Sequence, residues 1–151
     1  MKLLIGFILL ALVVCSYIII EEQKERNLES VFVTRVLDGD TFETSQGNKV
    51  RLIGINTPEV NQFYYKEARL KLNSLVFNKT VILKSEKKDR DAYHRLLRDV
   101  YLEDGTFVNE LLVREGYAVA LDVRPNDKYS SLIIKAENYA KFNKWGIWNI
   151  S

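Results

Sequence analysis

The sequence predicts an α+β fold that is mainly a β barrel, and two observations lead to this prediction. From residue 31 onward, short runs rich in Val, Ile, Phe and Thr are separated by turn residues, as in strands joined by tight turns. Three other segments carry apolar residues at helical spacing. With 151 residues, of which 47% are hydrophobic and 28% charged, the chain suits one globular domain and is too short for two.

The predicted strands follow from the apolar runs and from the turn signals between them. Residues 45–48 read SQGN, a hairpin signal, and residues 38–39 read DG, which offers a turn or bulge. The first three strands should therefore form an antiparallel meander. The five predicted strands cover residues 31–37, 41–44, 49–55, 80–84 and 96–102.

About three helices are predicted. Apolar residues recur at helical spacing over roughly residues 65–78 and 127–143. A shorter helix begins near Val108 and stops at Gly116, where glycine allows a left-handed C-cap. Five short strands with a helix after the third follow the order of an OB-fold barrel, which commonly binds nucleic acid. The fold alone does not define a function.

The N-terminus is predicted to form a hydrophobic helix ahead of this barrel. Residues 3–20 contain no charge, and a helix of that length spans about 27 Å, just enough to cross a bilayer. A helix buried in a protein core would show a polar face, and this stretch has none. We therefore predict a transmembrane anchor or signal peptide in residues 1–20, a polar linker in residues 21–30 and the globular domain in residues 31–151.

The N-terminal segment has three alternative fates. An uncleaved anchor is favoured because no small-residue cleavage site follows the apolar stretch and charged residues begin directly after Ile20. A cleaved signal peptide is the second alternative. Lipidation of Cys15 is the third, although Val14 stands where a small residue is wanted. The default for such a start places the globular domain outside the cytoplasm, membrane-anchored or secreted, and we expect a monomer.

The use of cysteine and histidine limits the possible metal chemistry. Cys15 is the only cysteine and His94 the only histidine, which excludes an intrachain disulfide, a cysteine-based metal site and a histidine-cluster zinc site. Any metal must be held mainly by oxygen, which indicates calcium or magnesium. The formal net charge of +2 allows a polyanionic partner without requiring one.

Two segments end strand-like runs in polar groups. Residues 36–42 read VLDGDTF, and residues 50–59 read VRLIGINTPE. Their carboxylate, hydroxyl, amide and guanidinium groups suit a hard cation and a phosphodiester. The segments resemble the staphylococcal nuclease (thermonuclease) family, whose signature is a DGDT turn followed by R-L-x-x-x-D-T-P-E. Asn56 stands where that family usually has aspartate.

The resemblance covers about residues 31–149, because VNE at residues 108–110 and WGIW at residues 145–148 also match. It implies a nuclease that hydrolyses phosphodiester bonds of DNA and RNA with one Ca²⁺ and little base specificity. It further implies that the 5′ P–O bond is cut and that 3′-phosphate products are released.

The resemblance also implies a set of metal ligands and a group that acts on water. Asp40, the side-chain oxygen of Asn56 and the main-chain carbonyl of Thr57 would hold the metal, and Glu59 would position or deprotonate the attacking water. Calcium accepts amide and carbonyl oxygens, so Asn56 can still coordinate, although it adds no charge. Asp40 could instead be a turn residue bonded to its own backbone, and Glu59 a carboxylate at a helix N-terminus.

Arg51 and Arg95 match two arginines of the family that grip the scissile phosphate. A guanidinium can donate two parallel bonds to phosphate oxygens, whereas lysine supplies a point charge. The family usually shows Y-G-R where this chain has Tyr93, His94 and Arg95, and Arg98 is an alternative to Arg95. Tyr93 matches a tyrosine near the bound nucleotide, but packing at a strand edge would explain it equally well.

The main alternative function is a catalytically weak or inactive nucleic-acid-binding OB-fold module, since some relatives of this domain have lost their active residues. Asn56 favours that alternative. The joint presence of Asp40, Arg51, Glu59 and Arg95 favours the nuclease.

Overall fold

The computed structural model describes residue 7, residues 9–17 and residues 28–149, and residue 7 and residues 9–17 are helical. The strands after them are β1 Leu28–Val36, β2 Thr41–Thr44, β3 Lys49–Leu52, β4 Ile55–Asn56, β5 Thr80–Lys84, β6 Leu96–Tyr101 and β7 Val119–Ala120. The helices are α1 Tyr65–Val76, α2 Val108–Arg114 and α3 Ser130–Phe142, followed by a short 3-10 helix at Gly146–Trp148.

Five of the strands close into a barrel in the order β1, β2, β3, β6 and β5. The pairs β1–β2, β2–β3, β1–β5 and β5–β6 are antiparallel, and the pair β3–β6 is parallel. The two short strands β4 and β7 form a separate antiparallel pair. The prediction of an α+β fold, with a five-stranded OB-type barrel and three helices, is therefore confirmed.

Two strand boundaries differ from the prediction by more than one residue. The third strand was expected to continue to residue 55, but β3 ends at Leu52 because the chain turns at Gly54, whose φ of 74° glycine adopts without strain. The strand resumes as β4, which pairs with β7. The first strand begins at Leu28, inside the stretch predicted as a linker, because residues 28–30 pair with β5.

The helices pack their apolar sides on the barrel. On α1 the buried residues Ala68, Leu72 and Val76 recur every fourth position, so they lie along one face. The buried residues of α2 include Val108 and Leu112, and α3 buries Ile133, Ala136 and Ala140. Burial of each large aliphatic side chain stabilises the fold by roughly 1.5–3 kcal/mol.

Asn109 on α2 connects the helix layer to the part of the barrel that carries the second motif. It is fully buried, its Oδ1 accepts a bond from the Val100 amide at 3.0 Å, and its Nδ2 donates to the Ile53 carbonyl at 2.9 Å. Since buried polar groups are costly unless they are bonded, this amide fixes the turn between β3 and β4. That turn leads directly to Asn56.

The C-terminal tail is fixed to the turn after α2. The Ile147 amide donates to the Gly116 carbonyl at 2.9 Å. Trp145 packs edge-on against Tyr139 of α3, with 5.4 Å between ring centroids, and the Lys141 Nζ lies 4.5 Å from the Trp148 ring. The tryptophan side chains thus attach the tail to α3.

The predicted anchor or signal peptide and the linker lie partly outside the described residues. Residues 1–6, 8 and 18–27, which belong to the predicted anchor or signal peptide and linker, are not among them. Within the part of the chain that the structure describes, no helix has the length and apolar character needed to cross a membrane.

A carboxyl pair away from the two motifs consists of buried Asp99 on β6 and half-buried Glu86, which follows β5. Asp99 is 1% exposed, and neither its Oδ1 nor the Oε1 of Glu86 has a hydrogen-bond partner among the described residues. Burial raises the pKa of Asp99 to about 8, and the charge of Glu86 adds to this effect, whereas Lys128 and Lys84 oppose it. Lys84 lies opposite Asp99 in the ladder, with its Nζ 4.9 Å from the Tyr101 ring.

This raised pKa gives a pH-dependent stability. An unfolded aspartate titrates at about pH 4, whereas Asp99 in the folded protein keeps its proton up to about pH 8. The contribution of Asp99 to the free energy of unfolding is therefore complete below about pH 4 and is lost as the pH rises through about 8. We expect Asp99→Asn to raise the free energy of unfolding near pH 9 by roughly 1–3 kcal/mol, with little effect near pH 5. Urea unfolding at both pH values measures this, with the exposed Glu103→Gln as control. An equal effect at both would contradict the raised pKa.

Candidate active site

The turn between β1 and β2 holds Asp40 inside the protein. The Leu37 amide donates to the Thr41 carbonyl at 2.9 Å, and the Asp40 amide donates to Asp38 Oδ1 at 3.1 Å. A Cβ at Gly39 would lie 2.7 Å from Thr57 Oγ1, so only glycine allows the turn to approach the second motif this closely. As a result Asp40 is 5% exposed.

The carboxylate of Asp40 is bound by groups from both motifs. Its Oδ2 accepts bonds from the amide and the hydroxyl of Thr57, both at 3.0 Å, and lies 3.0 Å from Arg51 Nη2. Its Oδ1 accepts a bond from the Thr41 hydroxyl at 3.0 Å. Burial raises the pKa of Asp40 to about 6, which Arg51 opposes and Asp38 reinforces. The turn aspartate therefore bonds mainly to partners distant in sequence.

Arg51 on β3 lies beside Asp40, and its side chain is 11% exposed. Its Nη1 donates to the Leu52 carbonyl at 2.7 Å, and its Nη2 donates to the Ile55 carbonyl at 2.8 Å and to Asn56 Oδ1 at 3.2 Å. Burial lowers the pKa of Arg51, and the charge of Asp40 opposes this. The main-chain carbonyls fix the plane of the guanidinium.

Three residues of the second motif lie around Arg51. Asn56 is half-buried and Thr57 is buried. Glu59 is exposed, its amide donates to Gln62 Oε1 at 2.7 Å, and its charge acts on Arg51. Helix α1 begins only at Tyr65, so Glu59 is not in its first turn.

Arg95 reaches the same site from the loop before β6. Asp91 Oδ1 accepts bonds from the amides of Tyr93 at 2.9 Å and Arg95 at 3.0 Å, and Asp91 Oδ2 accepts from Arg95 Nε at 2.7 Å. His94 has a φ of 62°, a left-handed conformation that glycine adopts without strain. This explains why the family whose motifs the chain resembles usually has glycine at this position. Tyr93 is 80% exposed, and its ring lies 5.4 Å from the Arg95 guanidinium carbon, so it is not packed at a strand edge.

Thr41 connects the two arginines through Asp40. Its hydroxyl donates to Asp40 Oδ1 and accepts a bond of 3.4 Å from Arg95 Nη1. Arg51 and Arg95, which are far apart in sequence, thus lie on two sides of one carboxylate. Next to them is a largely apolar cavity of about 270 Å³, lined by both arginines and by Tyr93, Leu121 and Val123 among others. Cationic groups beside an apolar cavity suit a phosphate ester with a planar organic part.

Arg98, the alternative to Arg95, is placed differently. It is 7% exposed, and its Nη2 lies 2.7 Å from Asp89 Oδ1. Its Nη1 donates to the Leu97 carbonyl at 2.7 Å. The guanidinium is therefore committed to neighbouring groups and does not extend into the site.

The predicted metal ligands form a set of oxygen donors. Asp40, the Asn56 amide oxygen and the Thr57 carbonyl belong to it, and Asp38 lies beside Asp40. Such donors fit Ca²⁺ rather than a soft metal. In residues 28–149 and the described N-terminal residues, no group of three or more His, Cys, Asp or Glu side chains is arranged to hold a metal ion. Arg51 contacts both Asp40 and Asn56, so a cation would compete with it for these oxygens.

Three site residues were not identified from the sequence: Thr41, Asp38 and Asp91. Asp38 bonds to the Asp40 amide and acts on the pKa of Asp40, and Asp91 holds Arg95. The available signals in the sequence were the D-x-D spacing of Asp38 and Asp40 and the i,i+4 spacing of Asp91 and Arg95.

A small OB-type barrel with two arginines around a buried carboxylate defines a phosphate-ester-binding domain. A family model described as "Staphylococcal nuclease homologue" matches residues 49–150. The chain is 39% identical over 129 residues to the thermonuclease of Staphylococcus intermedius, which covers 80% of this chain and 76% of the relative. It is 37% identical over 132 residues to the thermonuclease of Staphylococcus hyicus, covering 82% of this chain and 78% of the relative.

A third relative, described as an uncharacterized endonuclease of Escherichia coli O157:H7, is 37% identical over 120 residues, covering 78% of this chain and 75% of the relative. The chain therefore belongs to the staphylococcal nuclease family, a family of nuclease hydrolases, as its motifs predicted.

Proposed function

We propose that this protein is a calcium-dependent nuclease that hydrolyses phosphodiester bonds of DNA and RNA. The observation that carries the proposal is that both arginines lie at Asp40. Arg51 contacts the carboxylate directly, and Arg95 reaches it through the Thr41 hydroxyl. Family membership supports the hydrolytic activity, and the oxygen donors around Asp40 support calcium.

Each arginine has a defined part in binding the phosphate. The Nε of Arg95 is held by Asp91 and its Nη1 contacts the Thr41 hydroxyl at 3.4 Å, so Nη2 and the second N–H of Nη1 remain for phosphate oxygens. Arg51 is held by the Leu52 and Ile55 carbonyls, so its plane is set before substrate arrives. Both guanidinium groups stabilise the negative charge that grows on the phosphorus oxygens during attack.

Glu59 acts on the water that attacks phosphorus. It is exposed to solvent, lies two residues after Thr57, and its charge acts on Arg51, which supports this role. The carboxylate accepts the proton of that water as the new P–O bond forms; the P–O bond to the 5′ oxygen breaks, and that oxygen takes a proton from solvent. When held by Asp40, Asn56 and the Thr57 carbonyl, Ca²⁺ supplies positive charge next to the phosphate.

The cavity beside the arginines supports low base specificity. Tyr93, Leu121 and Val123 offer stacking and apolar contact rather than a set of hydrogen-bond donors and acceptors for base edges. Phosphate contacts position a strand without reading its sequence. We further propose cleavage of the 5′ P–O bond, which leaves a 3′-phosphate.

A catalytically weak or inactive nucleic-acid-binding module is the second candidate. One observation favours it: Asn56 adds no charge, and Arg51 already pairs with the one carboxylate of the predicted ligand set. The same arginines and cavity would then bind a strand without cutting it.

End analysis of digested DNA and RNA tests the proposed function. We expect the purified full chain with Ca²⁺ to release fragments that carry 3′-phosphates from both polymers. Fragments with 5′-phosphates would contradict the proposed bond cleavage. Retention of intact strands in a binding assay, with no fragments, would support the second candidate.

The position of Asn56 gives a prediction about metal affinity. Asn56→Asp should tighten Ca²⁺ binding, because it adds a carboxylate to the ligand set and weakens the hold of Arg51 on Asp40 by offering a second anion. Titration calorimetry of the full chain measures this. Asn149→Asp, which adds the same charge at an exposed site in the tail, is the control. Weaker binding by Asn56→Asp would mean that Asn56 is not a ligand.

We also propose that residues 3–20 hold the mature protein on a membrane, with the barrel outside the cytoplasm. The support is an uncharged run of spanning length without a small-residue cleavage site. Fractionation with mass spectrometry of the N-terminus tests it. A soluble extracellular product that begins between residues 21 and 30 would indicate a secreted enzyme. A soluble full-length chain in the cytoplasm would contradict both locations.

A further inference from the structure

Arg98 is a buried charge that the proposed chemistry does not use. It is 7% exposed, and a buried guanidinium is costly unless its donors are paired. Its Nη2 lies 2.7 Å from Asp89 Oδ1, and its Nη1 donates to the carbonyls of Leu97 at 2.7 Å and of Asp89 at 3.2 Å. The Asp89 side chain is 58% exposed, so the buried partner sets the geometry of the pair.

Asp89 stands at the base of the loop that carries Arg95. The Leu97 amide donates to the Asp89 carbonyl at 2.8 Å, and Arg90 forms a β-bridge with Leu96. Arg98 thus holds both the side chain and the main chain of Asp89, the residue at which the segment 89–95 is attached to β6. The loop returns to the barrel at β6, which itself contains Arg98.

The main chain at Arg98 is fixed against the strand that carries Arg51. Arg98 pairs with Leu52, and Arg51 pairs with Leu97, in the parallel β3–β6 ladder. The Ile53 amide donates to the Arg98 carbonyl at 3.0 Å. Arg98 therefore connects the base of the loop that carries Arg95 to the strand that carries Arg51.

We propose that Arg98 is a positioning residue that, through Asp89, holds the loop of residues 89–95 so that Arg95 meets the phosphate beside Arg51. This inference rests on the proposed nuclease function. Arg98 does not touch the phosphate, because its guanidinium is held against Asp89 and it does not line the cavity beside Arg51 and Arg95. Its effect passes through the placement of Arg95.

The test is a mutant cycle in the purified full chain. Arg98→Met and Asp89→Asn should each lower kcat by about 10- to 100-fold, since a shift of about 1 Å in a catalytic group has an effect of this size. Ca²⁺ affinity should not change, because the ligand oxygens are on other segments. In an Arg95→Gln background, neither change should lower kcat further. Asp89→Asn alters an exposed side chain and keeps Arg98, so it covers the case in which Arg98→Met fails to fold.

Lys71→Met is the matched control. It removes a partly buried ion pair of 2.6 Å between Lys71 on α1 and Glu115 at the end of α2, away from the loop. We expect it to lower stability and to leave kcat unchanged. The proposal would be overturned if Arg98→Met or Asp89→Asn lowered kcat as much in the Arg95→Gln background as in the wild type. It would also be overturned if Lys71→Met lowered kcat by an equal factor.

Hydrogen exchange provides a readout that does not need activity. The amides of Tyr93 and Arg95 bond to Asp91 within the loop, so they should exchange faster in Asp89→Asn and Arg98→Met but not in Lys71→Met. Unchanged exchange would overturn the anchoring role. If the wild-type chain cut no nucleic acid, faster exchange would still support the anchoring, and only the proposed function would fail.

Discussion

Arg95→Lys is expected to lower kcat for DNA cleavage by on the order of 10²-fold or more while the fold persists. Lysine keeps the positive charge but lacks the planar fork, so it cannot donate two parallel bonds to the phosphate from a group held in place by Asp91. Arg51→Lys should have an effect of similar size, because the compact ammonium lacks the planar fork whose two Nη atoms are fixed by the Leu52 and Ile55 carbonyls.

Steady-state kinetics with far-ultraviolet circular dichroism measures both variants. Arg35→Lys is the control. Arg35 forms an exposed ion pair with Glu43 on the outside of the barrel, so this variant should keep normal turnover. Near-normal turnover by Arg95→Lys would contradict the role of Arg95 in binding the phosphate.

Glu59→Gln is expected to lower kcat by about 10²- to 10⁴-fold, the usual contribution of a general base. The amide keeps the size of the side chain and cannot accept the proton of the attacking water. The fold should persist, because the Glu59 side chain is exposed and its amide, which bonds to Gln62, is unchanged by the substitution.

Calcium titration and kinetics of Glu59→Gln separate a role with water from a role with the metal. We expect Ca²⁺ affinity close to that of the wild type, since Glu59 is outside the proposed ligand set. Glu67→Gln, at an exposed position in the first turn of α1, is the control. A large loss of Ca²⁺ affinity with an unchanged maximal rate would assign Glu59 to the metal instead.

The barrel could be predicted from the sequence because its signals are local. The hairpin signal at residues 45–48 and the apolar runs around it gave the β1–β2–β3 meander, which the structure contains. The break after Leu52 could not be predicted, because the apolar run continues through Ile53 and Ile55. It depends on the turn at Gly54 and on pairing with β7, a two-residue strand that carries no local signal of its own.

The site was predictable only where its residues stand in recognisable motifs. Asp40, Arg51, Asn56 and Thr57 belong to two such motifs, and the structure brings them together. The pair of Arg98 with Asp89 was not foreseen, because nothing in the sequence relates a loop aspartate to an arginine on a neighbouring strand.

The physical effect of having Asn56 in place of the usual aspartate is visible only in the structure. As an acceptor for Arg51, it helps to hold that guanidinium against Asp40. From the sequence it was visible only as the loss of one carboxylate. The structure adds a competition between Arg51 and a cation for the same oxygens.

The most direct test of this account is a nuclease assay of the purified full chain with Ca²⁺, Mg²⁺, Mn²⁺ or EDTA, with Asp40→Asn measured in parallel. We predict cleavage of DNA and RNA with Ca²⁺, none in EDTA, and little in Asp40→Asn at any Ca²⁺ concentration, because the predicted ligand set then holds no carboxylate. Full turnover in EDTA, or normal Ca²⁺-dependent turnover by Asp40→Asn, would contradict a calcium-dependent nuclease centred on Asp40.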